Sequence, residues 1–324
     1  MTDKQALQKL SRFREKRVLS IQSHVVHGYA GNKCAVFPLQ LHGFDVDFVN
    51  SVQFSNHAGT IQFDDSLRRY EHVKGQKLAE SDLADLYEGL QLNELNNYSY
   101  ILTGYCGNVT FLRKIGDVVR DIKQKSPDVK FVCDPVMGDN GRYYTPKELL
   151  PVYRDEILPL ADVLTPNAFE LSELVGFQIE TEEDCFKATD ILHQKGIKKI
   201  IVTSGVTREQ TETTLRCFAT VKESACSPTQ RFRFTFPRLE GQFVGTGDVF
   251  TSLLIASLDD VDGDVAGAVP RVLGSLQSLI NNTFAYAKKN SNEKSKRLCE
   301  LRLIETRKDL LVPPSIDMIQ VEQI

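Results

Sequence analysis

Residues 17–52, RVLSIQSHVVHGYAGNKCAVFPLQLHGFDVDFVNSV, decide how the rest of the chain is read. The run 17–23 is short, apolar and rich in strand formers, and the turn HGYAGN follows it. A helical pattern then covers 33–42, and 45–52 returns to strand-like alternation. A strand, a helix and a second strand in so few residues make a βαβ unit, which implies parallel pairing.

The same alternation continues outward. YSYILTG (98–104), KFVCD (130–134), DVLTP (162–166) and KKIIVTSG (198–205) read as further strands, separated by helical segments such as 108–125 and 181–195. TTLRCFATV and RFRFTFPRL, near 213–236, read as an antiparallel strand pair. Helices are expected at 248–258 and 265–288, a polar stretch at 288–296, and LRLIET (301–306) as a last strand. The fold class is therefore α/β, a mainly parallel sheet between helical layers. Neither an internal repeat nor a linker divides the chain, so residues 17–324 are expected to form one domain behind an N-terminal extension, 1–16.

Composition narrows the function. The 324 residues carry a formal charge of −4 without a long basic stripe, which disfavours nucleic acid or an anionic membrane as partner. The seven cysteines, Cys34, Cys106, Cys133, Cys185, Cys217, Cys226 and Cys299, include no C-x-x-C pair. This argues against a disulfide framework or a structural zinc site and points to a cytoplasmic location. The N-terminus lacks the apolar core of a secretory signal, and no apolar run is long enough to span a bilayer.

In open parallel sheets, ligands bind beyond the carboxyl ends of the strands. Polar clusters fall at those ends: Ser23 and His24, Asn56 and His57, 103–105, Asp134, 165–167, and 203–205. A P-loop, a G-x-G-x-x-G after the first strand, the protein-kinase motifs and a G-x-S-x-G elbow are all missing from the sequence. Asp134 and Asp139 in CDPVMGD offer oxygen ligands to a hard cation, or simply shape a turn. Asn167 and Glu170 in TPNAFEL have the spacing of a capping box, a role compatible with orienting water on Mg²⁺. His24 and His27 lack an obvious third metal ligand. Phe54, Asn56 and His57 could hold a flat heteroaromatic ring, or lie in an ordinary surface turn.

FVGTGDVFTSLLIASL (243–258) has two readings. Gly245, Thr246, Gly247 and Asp248 open a helix, whose first N–H groups lack intrahelical partners and carry partial positive charge. Asp248 can cap that end, or the two glycines can admit an anionic ligand to it.

In their order, SIQSHVVHGYAGN, VNSVQFSNHAG, ILTGY, VCDPVMGD, LTPNAFE, IVTSG and FVGTGDVF resemble the pyridoxal kinase family of the ribokinase-like superfamily. The resemblance runs from about residue 17 to the helix after Asp248 and more weakly beyond. It implies a three-layer αβα sandwich and MgATP-dependent phosphorylation of the 5′-hydroxymethyl group of pyridoxal, pyridoxine and pyridoxamine. Same-fold kinases of hydroxymethylpyrimidine or another small alcohol, and a non-catalytic vitamin-binding relative, are the rival readings.

By that resemblance Asp248 is the general base, and Gly245, Thr246 and Gly247 form the anion hole. Asn167, Glu170, Thr203 and Ser204, with Thr246 and Gly247, meet ATP. Asp134, Asp139, Thr165 and Glu170 lie around Mg²⁺ and a monovalent cation, expected to be K⁺. Ser23, Val52, His57, Ala58, Tyr105 and Tyr144 line the vitamin site. Ala58 stands where the family usually has threonine, so one hydrogen bond to the vitamin is missing or replaced. Residues 60–76 look longer than their counterpart, next to the region where family members form a homodimer.

Overall fold

The computed structural model describes residue 11 and residues 14–58, 61–62, 67–68, 70–290, 300–314 and 316–324. Most of the N-terminal extension, part of the 60–76 segment, most of the 288–296 stretch and Cys299 lie outside them.

The first unit is β1 (Arg17–Val25), α1 (Asn32–Leu41) and β2 (Asp45–Phe54), with β1 and β2 parallel from Arg17↔Asp45 to Val25↔Phe54. A small hairpin follows, β3 (Ile61–Gln62) with β4 (Leu67–Arg68). After it, β5 (Gly75–Lys77) pairs antiparallel with β2. Next come α2 (Glu80–Leu92), β6 (Tyr100–Thr103), α3 (Val109–Lys125) and β7 (Lys130–Cys133). A second hairpin, β8 (Gly138–Asp139) and β9 (Arg142–Tyr143), precedes α4 (Leu149–Val152), β10 (Val163–Leu164), α5 (Ala168–Val175) and α6 (Glu182–His193). The remainder is β11 (Lys199–Val202), β12 (Thr214–Val221), β13 (Gln230–Pro237), α7 (Thr246–Asp260), α8 (Val265–Lys289), α9 (Arg307–Leu311) and β14 (Gln320–Gln323).

Ten strands form one sheet in the order β14-β13-β12-β11-β10-β7-β6-β1-β2-β5. The six strands from β11 to β2 are parallel, and the additions at both edges are antiparallel. Alternation along the central strands divides the core in two. Val18, Leu102, Val132 and Ile201 face the layer holding α1, α7 and α8. Leu19, Ile101, Phe131 and Ile200 face the layer built from α2 to α6. A sheet apolar on both faces needs a helical layer on each, which is the expected sandwich.

Local chemistry starts several helices. Asn108 accepts from the N–H groups of Thr110 and Phe111 at the head of α3, and Asp264 accepts from those of Ala266 and Gly267 at the head of α8. Thr181 and Asp184 form a capping box on α6. The Asn140–Gly141 pair turns the β8–β9 hairpin with φ of 48° and 74°, as a two-residue turn with both central residues left-handed requires.

One expected strand is absent. Residues 301–302 are irregular and 303–306 form turns, and the last strand of the sheet is β14, paired with β13. The L-R-L alternation has the period of a strand, but here it crosses the helical layer. Leu301 and Leu303 insert into the core shared by α1, α7 and α8, while the Arg302 guanidinium lies 3.8 Å from the centre of the Tyr286 ring. Alternation reports one buried face and does not say whether a sheet edge is available to pair with.

Candidate active site

Because β1, β2, β6, β7, β10 and β11 run parallel, their carboxyl ends share one edge of the sheet. Ser23, His57, Tyr105, Asp134, Thr165 and Thr203 all come from those ends or from just beyond them. β13 runs the same way as β11, since each is antiparallel to β12, so its exit delivers the 238–245 segment and the start of α7 to that edge.

The α7 terminus does not follow the capping account. Gly245 is the N-cap residue, with φ of 90°, and no side chain caps the helix. A Cβ at Gly245 would lie 2.6 Å from Cys34 Sγ and 2.9 Å from the Tyr29 carbonyl oxygen. Glycine is thus needed both for its conformation and for the close approach of the β1–α1 turn. Asp248 points across the gap, and its Oδ2 accepts the Gly31 N–H at 2.8 Å. The first N–H groups of α7 therefore remain available to an anion, as phosphate-binding helix ends require.

Gly31 is equally constrained. Its φ is 56°, and a Cβ there would come within 2.0 Å of the Ser23 carbonyl oxygen and 2.4 Å of Ser23 Oγ. Ser23 lies in register with the buried Val52, just after a register shift that leaves Ser51 of β2 as the extra residue. One glycine thus joins Ser23 on β1 to Asp248 on α7.

Three carboxylates gather nearby. Asp134 and Glu170 are buried, at 7% and 4% exposure, and Asp248 keeps part of its surface open. Burial raises Asp134 well above the usual carboxylate range, and the charges of Glu170 and Asp248 push it further, while a Thr251 hydrogen bond opposes them. Burial also raises Glu170, against the backbone N–H groups of Asn167, Met137 and Gly138. Packing around Asp248 lifts it to about 6, partly offset by the Gly31 N–H. The groups acting most strongly on these three include no basic side chain. Such a cluster attracts cations.

Among the described residues, no three of His, Cys, Asp or Glu are placed to grip a bare ion. His24 and His27 belong to no such group either.

Asn167 and Glu170 form the expected capping box, with Asn167 Oδ1 accepting from Glu170 N at 2.9 Å and Glu170 Oε2 accepting from Asn167 N at 3.0 Å. They do more than cap. Glu170 Oε1 accepts the Met137 N–H at 2.9 Å, and Asn167 Nδ2 donates to the Gly138 carbonyl at 2.8 Å. The pair thereby clamps the loop leading to Asp139, whose carboxylate accepts from Asn140 at the hairpin turn. Tyr144 is 61% exposed beyond that hairpin, and Ala58 is also exposed. Tyr105 takes the Ser51 hydroxyl on its carbonyl at 2.8 Å. Thr203 N donates to the Pro166 carbonyl, and the Ser204 carbonyl accepts from Ala168 N, which sets these two beside the start of α5.

Two participants escaped the sequence reading. Thr251 lies 3.2 Å from Thr165 Oγ1 and also bonds Asp134. Its signal was a hydroxyl side chain one turn beyond Gly247 on the same helix. Glu300 reaches His57 from the other end of the chain, and nothing in its local sequence marks it.

Comparison with known proteins supplies the family. The family model described as phosphomethylpyrimidine kinase matches residues 106–292. A provisionally named pyridoxal kinase of Caenorhabditis elegans is 65% identical over 324 residues, covering 100% of this chain and 99% of that protein. Pyridoxal kinase of Bos taurus is 40% identical, covering 92% of this chain and 96% of its own. The structure of pyridoxal kinase from Leishmania donovani in complex with ADP and pyridoxamine superimposes with a TM-score of 0.83 at 37% identity, over 96% of this chain and 100% of that one. The chain belongs to the pyridoxal kinase family.

Proposed function

From that membership, we propose that the chain transfers the γ-phosphoryl group of ATP to the 5′-hydroxymethyl group of pyridoxal, and of pyridoxine and pyridoxamine. The product from pyridoxal is pyridoxal 5′-phosphate. The observation that carries this reading is the Asp248–Gly31 contact, which places a carboxylate between the open end of α7 and the turn beside Ser23.

In this reading the vitamin ring lies over Val52 and beside Ser23, His57, Ala58 and Tyr105, and Tyr144 covers it from the hairpin. Asp248 accepts the hydroxyl proton as the oxygen attacks the γ-phosphorus. Its Gly31 hydrogen bond holds the carboxylate on the vitamin side. The N–H groups at Gly245, Thr246 and Gly247 stabilise the charge on the transferring group, the principal protein contribution to phosphoryl transfer. Thr203 and Ser204 meet ATP alongside them, and Asn167 and Glu170 hold the 137–139 backbone in place.

Asp134, Asp139, Thr165 and Glu170 offer only oxygen ligands, as hydrated Mg²⁺ and a monovalent cation, K⁺ by family resemblance, prefer. Bound Mg²⁺ would neutralise phosphate charge. The homodimer, the cytoplasmic location and the single kinase domain over 17–324 stand as parts of the same proposal. Among the described residues, no helix is long and apolar enough to cross a membrane.

The test is product identification by mass spectrometry after incubation with MgATP and, separately, each B6 vitamer and hydroxymethylpyrimidine. Phosphorylated pyridoxal supports the reading. Turnover of hydroxymethylpyrimidine alone would replace it with the rival reading, a hydroxymethylpyrimidine kinase of the same fold.

A further inference from the structure

Glu300 is a buried carboxylate far in sequence from every other residue of the site. Its Oε2 accepts the Tyr29 N–H at 2.9 Å, within the β1–α1 turn. Its Oε1 accepts the Tyr70 hydroxyl at 2.7 Å and lies 3.1 Å from His57 Nε2. A Cβ on Gly28 would sit 2.2 Å from Glu300 Oε2, so the turn is shaped around this carboxylate. The Tyr70 ring meets the His57 ring edge to face at 5.1 Å. Although burial opposes ionisation, the His57, Tyr70 and Tyr29 contacts hold the Glu300 carboxyl below its usual value.

An ionised carboxylate only accepts hydrogen bonds, so the His57 nitrogen facing it must carry a proton. The other nitrogen, Nδ1, is buried and has no partner among the described residues. The neighbouring Ala58 brings no hydroxyl to this loop.

We propose that Glu300 is a positioning residue for the vitamin. It fixes the ring of His57 with the proton on Nε2, so that Nδ1 is presented as a hydrogen-bond acceptor to a hydroxyl of the bound pyridine. The proposal rests on the vitamin-kinase reading and adds a specificity-determining pair, Glu300 and His57, to it. In the same way, second-layer carboxylates set the tautomer of histidines that bind metals or act in catalysis.

The experiment combines nitrogen NMR of ¹⁵N-histidine-labelled enzyme with kinetics of E300Q. The His57 signals are assigned by their loss in H57Q. In the free wild type, His57 is expected to carry its proton on Nε2, with Nδ1 shifting when pyridoxal is added. Glutamine has a single acceptor oxygen for three donors and turns an N–H towards the ring. E300Q is therefore expected to move the His57 proton to Nδ1. It should also raise the pyridoxal KM about tenfold, the upper end of what one lost neutral hydrogen bond costs, while the ATP KM stays within about twofold.

An Nδ1–H tautomer in the wild type overturns the proposal, and so does an unchanged pyridoxal KM in E300Q. Equal increases in both KM values with a lowered Tm would assign Glu300 to the scaffold instead. The tautomer in the substrate-free wild type decides the positioning even if E300Q fails to fold. If the wild type did not phosphorylate pyridoxal, the functional reading would fall while the tautomer was still measured independently.

Discussion

The carboxylate of Asp248 accepts the backbone N–H of Gly31 at 2.8 Å, joining the first turn of α7 to the turn after β1 across 217 positions of sequence. A helix-opening aspartate normally turns back on its own N–H groups. Here it faces away, and no side chain caps the helix.

Replacing this carboxylate by an amide removes the base and keeps an oxygen for Gly31. Asp248→Asn is expected to lower kcat by roughly 10²–10⁴-fold, the range for general base catalysis. The Kd for MgATP, measured by calorimetry, should change little. Turnover close to the wild type would take Asp248 out of the role of base.

The pH profile tests the same residue without mutation. The carboxyl of Asp248 is raised to about 6, chiefly by burial. Below that value it is protonated and cannot accept the hydroxyl proton, so kcat/KM for pyridoxal should fall with decreasing pH through about 6 and level off above 7. A plateau extending unchanged to pH 5 contradicts the assignment.

Gly31→Ala places a methyl group 2.0 Å from the Ser23 carbonyl oxygen at a left-handed φ. Such a clash exceeds the usual cost of strained backbone, about 1–3 kcal/mol. Denaturant unfolding should show a loss at the upper end of that range or above. The pyridoxal KM should rise more than the ATP KM, because the displaced backbone carries Ser23.

Asp134→Asn separates stability from activity. Burial and the charges of Glu170 and Asp248 raise Asp134 in the folded chain, so the folded state holds the proton more tightly than the unfolded one. Stability is therefore lost as pH rises from the unfolded carboxylate value, about 4, towards the raised one. Without nucleotide or Mg²⁺, the variant should melt above the wild type at pH 8, with a smaller gain at pH 5. Each kcal/mol gained is worth roughly 2–4 °C in chains of 150–250 residues, and somewhat less in a longer one. Its kinase activity should drop sharply, and a lower Tm at pH 8 would refute the like-charge account.

Ala58 is an exposed residue next to the buried His57. Ala58→Thr introduces the hydroxyl that the family resemblance implies at this position, and should change the KM for pyridoxal while leaving that for ATP within about twofold. An effect confined to ATP would remove Ala58 from the vitamin site.

The βαβ opening, the parallel strands and the polar residues at their ends could be read locally, because side-chain period and turn chemistry act over a few neighbours. The same holds for the Asn167–Glu170 box, where both partners lie within one helical turn. The 301–306 segment could not be read this way, since its alternation is satisfied by a helical layer as well as by a sheet. Glu300 and Thr251 were missed because their partners, His57, Tyr29, Thr165 and Asp134, lie far away in sequence.

By itself, the sequence determined that this protein is an α/β chain with chemistry at the strand ends, and it supplied the glycine turn before α7. Only the tertiary structure decided that Asp248 spans to Gly31 rather than capping its own helix, and that Glu300 reaches His57. Both outcomes depend on the packing of distant segments, which brings donors within reach of carboxylates that local rules would satisfy at home.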